Sequence, residues 1–209
     1  MSHKLYKWEL ALAAGVLGAL IWGAGTASAQ GELADAMIRL HVIANSDSDR
    51  DQEQKLAVRD AVLEQVRTWS EQAGTTGEME ELLSAHLEGL ERTGERTLRE
   101  LGCSQTVTAS LTNCWFPTKE YGDFALPAGE YTALRIVIGA GEGKNWWCVA
   151  FPPLCVGASA QSVEEAAQAG FFTQEQAELL TGQGDGYVLK FKSMELLGQL
   201  KELVFRVVT

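Results

Sequence analysis

Positive charge is in short supply in this sequence. Its 209 residues hold 17 lysines and arginines against 28 aspartates and glutamates, a formal net charge of −11. The basic residues stand singly among acids, whereas a polyanion-binding surface needs a basic stripe. Nucleic acid, anionic lipid and anionic wall polymer are therefore poor partners. Histidine is scarcer still, with three in the chain, and His86 falls on an apolar helical stripe where a packed or edge role is the ordinary one. Two ion-site motifs are imitated but incomplete. In NSDSDRD, residues 45–51, counting from Asp47 puts Gln52 where a calcium loop needs glycine and Val58 where it needs a bidentate glutamate. In GAGEGKN, residues 139–145, the four-residue spacer before Gly-Lys is missing and a strand follows instead of a helix, so a hairpin turn replaces the phosphate loop. Neither a metal nor a small-molecule cofactor is expected. The sequence has no internal repeat, and no long apolar run follows the first thirty residues.

What is present begins with a leader. His3, Lys4 and Lys7 precede an apolar stretch at residues 10–25, and Ala27-Ser28-Ala29 reads as a small-residue cleavage signal. The apolar stretch is about fifteen residues, against about twenty needed to span hydrocarbon, which favours a signal peptide over an anchor. The expected organisation is a signal peptide at 1–29 and a single exported domain at 30–209. Removing the leader takes lysine plus arginine from 17 to 15 and aspartate plus glutamate from 28 to 27, leaving about −12.

Periodicity then places the elements. Ile38, Leu40 and Val42 alternate with Arg39 and His41, a strand with a buried and a wetter face. Ser48 with Asp51 marks a helix start, and Val58, Val62, Val66 and Trp69 form its apolar stripe. Met79, Leu82, Leu83, Leu87, Leu90, Leu98 and Leu101 predict one more helix, stopped at Gly102. Strands follow around Val107–Leu111, Tyr131–Ile138 and Trp146–Phe151. Ser162 with Glu165 and Thr173 with Gln176 have capping-box spacing. Residues 187–192 alternate weakly, and Ser193 opens a final amphipathic helix. The order predicts an α+β fold, with a largely antiparallel sheet of about four to five strands and helices packed on one face.

Export makes the four cysteines candidates for oxidation. Cys103 and Cys114 flank a strand that would hold them about 33 Å apart, far beyond disulfide reach. Cys148 and Cys155 bracket Pro152 and Pro153, which stop the strand and favour a turn that brings the sulfurs together. Such a ring is worth only about 2.5 kcal/mol on the chain-entropy account. Its expected value is shape, with Phe151, Pro152, Pro153 and Leu154 held out on a turn. Trp146 and Trp147 point to opposite faces behind it, one for the core and one for a partner.

Three segments are specific: IRLHVIANSDSDRDQEQKLAVRDAV from Ile38, FPTKEYGDFALPAGEY from Phe116, and GEGKNWWCVAFPPLC from Gly141. In this order behind an export signal, they closely resemble the stage II sporulation protein R family. The resemblance implies a signal exported from the forespore into the space between forespore and mother-cell membranes. There the family triggers a membrane-embedded aspartic protease of the mother cell, which cleaves the precursor of sigma-E. The expected contact surface is Phe151, Pro152, Pro153 and Leu154 with Trp146 or Trp147, joined by Lys119 and Tyr121. On this reading Cys148→Ser weakens signalling more than folding. The alternative is an exported cell-wall hydrolase using Cys148 or Cys114 with His41, or a carboxylate pair. Against it, no nucleophile, base and orienter set is suggested by spacing.

Overall fold

A computed structural model describes residues 2–155 and 159–182. The expected strand at 187–192 and the helix from Ser193 lie outside the described residues. Strand β1 (Ile38–Ile43) organises the rest. Apart from His41 every residue in it is buried, including Arg39 at 0% exposure, because β1 lies between two neighbours. It runs parallel to β5 (Gly129–Ile138) and antiparallel to β6 (Asn145–Phe151). Outside β5 lies β2 (Val107–Phe116), antiparallel to it, giving the order β2-β5-β1-β6. The sheet is thus four-stranded and mixed rather than largely antiparallel. A period of two identifies a strand but carries no information about its neighbours.

The same insertion corrects the reading of residues 139–145. With β1 between them, β5 and β6 do not form a hairpin, and the glycine-rich loop crosses the end of β1. Ala44 and the NSDSD segment after it clasp the loop: Gly143 N–H donates to Ala44 O (2.9 Å), Ala140 N–H to Asn45 Oδ1 (3.0 Å) and Lys144 N–H to Asp47 Oδ1 (2.7 Å). Gly139 has φ +55° and a Cβ there would overlap the Asn45 side chain, while a Cβ at Gly143 would overlap the Ser46 carbonyl. Glycine is therefore required by contact rather than by a ligand. Asp51 ties the clasp to the next helix, accepting from Ser46 Oγ and from Asn45 Nδ2 (2.9 Å). Those hydrogen bonds, Ser46 first, hold its carboxyl below the ordinary value.

Helix α1 (Ser2–Asp35) precedes the sheet. Its stretch Trp8–Asp35 is long and apolar enough to cross a membrane, a property that signal sequences share. The helix continues past Ala29 into the domain, where Gln30 Nε2 donates to Ala128 O (2.5 Å) and Leu33 is fully buried. Helix α2 (Asp49–Ser70) starts where expected, Ser48 Oγ accepting from Asp51 N–H (3.2 Å). The single long helix predicted next is two, α3 (Thr76–Ala85) and α4 (Leu87–Glu100), broken at His86. The apolar spacing of three and four runs through the break, so periodicity does not register it. His86 Nδ1 donates to the Leu82 carbonyl (2.7 Å), one of those a helix end leaves open, and its ring lies 4.8 Å from that of Trp69.

Helices α2, α3 and α4 close the first sheet face, where Val58, Val62, Val66, Met79, Leu83, Leu90 and Leu98 meet Leu40, Val42, Leu134, Ile136 and Ile138. The second face is covered too, contrary to the expectation of helices on one side. A small hairpin, β3 (Lys119–Tyr121) with β4 (Phe124–Leu126), joins the end of α1 over Tyr131, Ala133 and Val149. So do α5 (Ala160–Gln168) and α6 (Gln174–Thr181). Helix α5 begins one turn earlier than the predicted box, capped by Ser159 Oγ on Ser162 N–H (3.2 Å). At α6 the Thr173–Gln176 box is present in both directions.

Candidate partner-binding face

Successive residues of a strand point to opposite sides, and the two tryptophans of β6 do so. Trp146 stands on the helix side, 38% exposed, with the Arg59 guanidinium 4.3 Å from its ring centre. Trp147 stands on the second face, in register with His41 and with Lys119 Nζ 5.3 Å from its ring centre. One row along the same face lies Arg39. Its Nε donates to Cys148 O (3.1 Å) and its Nη2 to the Tyr121 hydroxyl (2.8 Å), which in turn donates to Trp147 O (3.1 Å). The guanidinium sits 4.3 Å from the Phe116 ring centre and 5.1 Å from that of Tyr131. Aromatic faces and two acceptors thus replace the carboxylate a buried cation normally needs. Nη1 has no hydrogen-bond partner among the described residues. Burial lowers the Arg39 pKa, and it raises those of Tyr121 and Tyr131 against the opposing pull of Arg39.

Towards the other end of β1 this face is open. His41 Nε2 meets Asn145 Oδ1 at 2.9 Å, while Nδ1 has no partner among the described residues. Burial lowers the His41 pKa; the Asn145 hydrogen bond opposes that, and Arg135 and Arg39 reinforce it. Register sets Trp147, His41, Arg135 and Ser110 side by side across four strands. All four are partly exposed, and Thr108 and Thr112 of β2 are exposed beside them. No in-register position of this face is aspartate or glutamate. The ion pairs among the described residues, Arg59–Asp60, Arg67–Glu64, Arg92–Glu88 and Arg99–Glu95, all lie elsewhere.

Cys148 and Cys155 are bonded, with Cα atoms 5.4 Å apart, and Cys103 and Cys114 are free. The ring does not present Phe151, Pro152 and Leu154. All three are buried, Phe151 at 0% and Leu154 at 3% exposure. Phe151 packs edge-on against Phe171 at 5.0 Å, and Leu154 belongs to the second core. The segment carrying α5 and α6 lies where the sequence suggested solvent, so the turn folds inward; Pro153 alone of the four is exposed. Lys119, Tyr121 and Trp147 are brought together, and Trp146 is on the opposite side. The assignment of Arg39 and His41 to a solvent-side face is overturned for Arg39. The sequence reading missed Arg39, Phe116 and Arg135; an arginine inside IRLHVI, on a strand paired at both edges, was the available signal. The residues proposed for a hydrolase are not linked by any described hydrogen bond. Cys148 is spent in the disulfide, and burial raises the Cys114 thiol pKa, leaving it a weaker source of thiolate.

What fold and face define is a disulfide-closed α+β module, one sheet face sealed by helices and the other left half open around cations and aromatic rings. The chain belongs to the Stage II sporulation protein R family, whose description matches residues 34–161, from the end of α1 to the start of α5. It is 41% identical over 121 residues to Stage II sporulation protein R of Bacillus subtilis (strain 168). That match covers 58% of this chain and 54% of the relative, so the chain spans about half the length of the curated relative it matches. No solved structure matches it.

Proposed function

We propose that the chain is an exported sporulation signal that activates a membrane-embedded aspartic protease of the mother cell, leading to cleavage of the sigma-E precursor. Family membership across the whole four-stranded sheet is the observation that carries this reading. The apolar N-terminal helix is compatible with export into the space between forespore and mother-cell membranes, and a disulfide suits an oxidising compartment. The chain acts as a ligand. It binds the outward part of the protease and favours its active state through differential affinity. Of the surface expected from sequence, Lys119, Tyr121 and Trp147 remain together and define the contact; Trp146 and Pro153 lie apart from it.

The test is reconstitution of the protease and its precursor substrate in liposomes, with the full chain added in nonionic detergent below its disruptive concentration. Cleavage that depends on the chain, and that fails when the protease's catalytic aspartates are replaced, supports the reading. Equal cleavage with and without the chain overturns it.

A further inference from the structure

A chain with a net charge of −11 has a surplus of acids to pair with its cations. Even so, Lys119 and Arg135 have no carboxylate within ion-pair distance among the described residues; Arg135 stands on the open part of the second sheet face, and Lys119 reaches over its Trp147 from β3. One row along the same face Arg39 is buried, with no carboxylate in ion-pair distance and Nη1 unpaired among the described residues. A buried, unneutralised cation raises the positive potential of the surface above it, because the low-dielectric interior screens it weakly. Between the two cations lie the Trp147 ring and His41. This is local positive charge around a flat aromatic surface, on a molecule otherwise negative.

We propose that this part of the sheet binds an extended, acidic polypeptide segment of the partner, carboxylates on Lys119 and Arg135 and the intervening chain across Trp147. This rests on the reading of the chain as a protein-binding signal and specifies the chemistry of the contact. Strands lie about 4.8 Å apart, so Trp147 on β6 and Arg135 on β5, separated by β1, stand about 10 Å apart, and Lys119 of β3 lies over Trp147, its Nζ 5.3 Å from the ring centre. An extended peptide advances about 3.3 Å per residue, so acids three or four positions apart reach both cations. Arginine takes a carboxylate in bidentate fashion and tryptophan supplies rigid contact area at small entropic cost. A lipid headgroup surface is the poorer match, since the net negative charge of the chain opposes its approach to an anionic membrane.

The full chain in nonionic detergent is titrated with a capped decapeptide carrying glutamates four positions apart, and with the same peptide bearing glutamines. Tryptophan fluorescence and peptide anisotropy are read at low salt. The glutamate peptide is expected to bind at least tenfold more tightly than the glutamine peptide. Lys119→Glu with Arg135→Glu should abolish that preference, and the milder Lys119→Gln with Arg135→Gln should reduce it at unchanged thermal unfolding. Arg92→Glu with Arg96→Glu, on exposed α4 positions, should leave it intact. Equal affinity for both peptides, no binding to either at millimolar concentration, or full binding by the charge-reversed chain overturns the proposal. Binding to phosphatidylglycerol vesicles without binding to the peptide overturns it in favour of lipid. The peptide assay needs no protease. A chain that binds the peptide yet fails to activate refutes the activator reading alone, whereas a charge-reversed chain that still activates refutes this contact alone.

Discussion

The two faces of the sheet are drawn from the same four strands and are closed to different degrees. On the first, Leu40, Val42, Leu134, Ile136 and Ile138 form an apolar surface sealed by three helices. On the second, the buried apolar cluster gathers at one end, around Phe116, Tyr131 and Val149. The other end carries His41, Arg135, Ser110 and Trp147 and stays partly exposed. Burial of apolar area drives closure, and a polar row gives a covering element little to gain. Stability and contact are therefore drawn from opposite sides of one layer, so substitutions on the two sides should have separable consequences.

The largest effect is expected on the sealed face. Leu98 is fully buried there, and Leu98→Ala should lower unfolding free energy by about 3 kcal/mol in urea titrations, through lost burial and a residual cavity. Arg135→Gln on the open end should change it by less than about 0.5 kcal/mol. Similar costs for the two would break the comparison. Next comes the ring joining Cys148, on the sealed side, to Cys155. Replacing both by serine should cost about 2.5 kcal/mol. Because Phe151 and Leu154 are core residues, protease activation should persist at a temperature where the variant remains folded, reversing the expectation that the ring serves signalling before folding. The tryptophans give a smaller and sharper contrast. Trp147→Ala should cost about 1.5 kcal/mol from lost area and the Lys119 contact and abolish activation. Trp146→Ala should cost about 1 kcal/mol and leave activation intact. Equal activation by both would remove the open face from the mechanism.

These contrasts also mark where sequence reading succeeds. Strand identity, the Ser48 cap and the opposite aiming of Trp146 and Trp147 follow from local geometry, and local geometry is what period and capping rules encode. The order of the strands does not. Nothing near GAGEGKN reveals that β1 slots between β5 and β6, because the Asn45 and Asp47 that clasp that loop lie 95 and 97 residues upstream of their partners. The same nonlocality hid the second core. Arg39 reads as a wet residue until the hairpin of β3 and β4 is laid over it, and Phe151 and Leu154 read as exposed until α5 and α6 arrive. Of the residues expected to make the contact, only the structure separates Lys119, Tyr121 and Trp147 from the rest, and the arginines and Phe116 that give the face its charge and floor carry no local signal.

The smallest expected effect concerns the boundary between the sealed and open ends, where His41 stands. Burial is the main cause that depresses its pKa below the ordinary 6.5, with Arg135 and Arg39 acting in the same direction and the Asn145 hydrogen bond acting against them. The unfolded chain therefore binds more protons than the folded one at pH values between the folded pKa and 6.5. Stability is unpenalised above that window, falls as pH drops through it, and levels off below the folded pKa. Asp51 contributes in a separate window. Its folded pKa is depressed below the ordinary carboxylate value of 3.8 by Ser46 and Asn45, so its contribution is present above that value and lost only as pH falls through the lower folded pKa. Urea midpoints measured from pH 8 to pH 2 should thus show two declines. His41→Gln should remove the upper one and leave the lower, and Asp51→Asn should do the reverse. If His41→Gln leaves the upper decline unchanged, His41 titrates as a solvated residue and the open end begins one row deeper in the sheet, at Arg39.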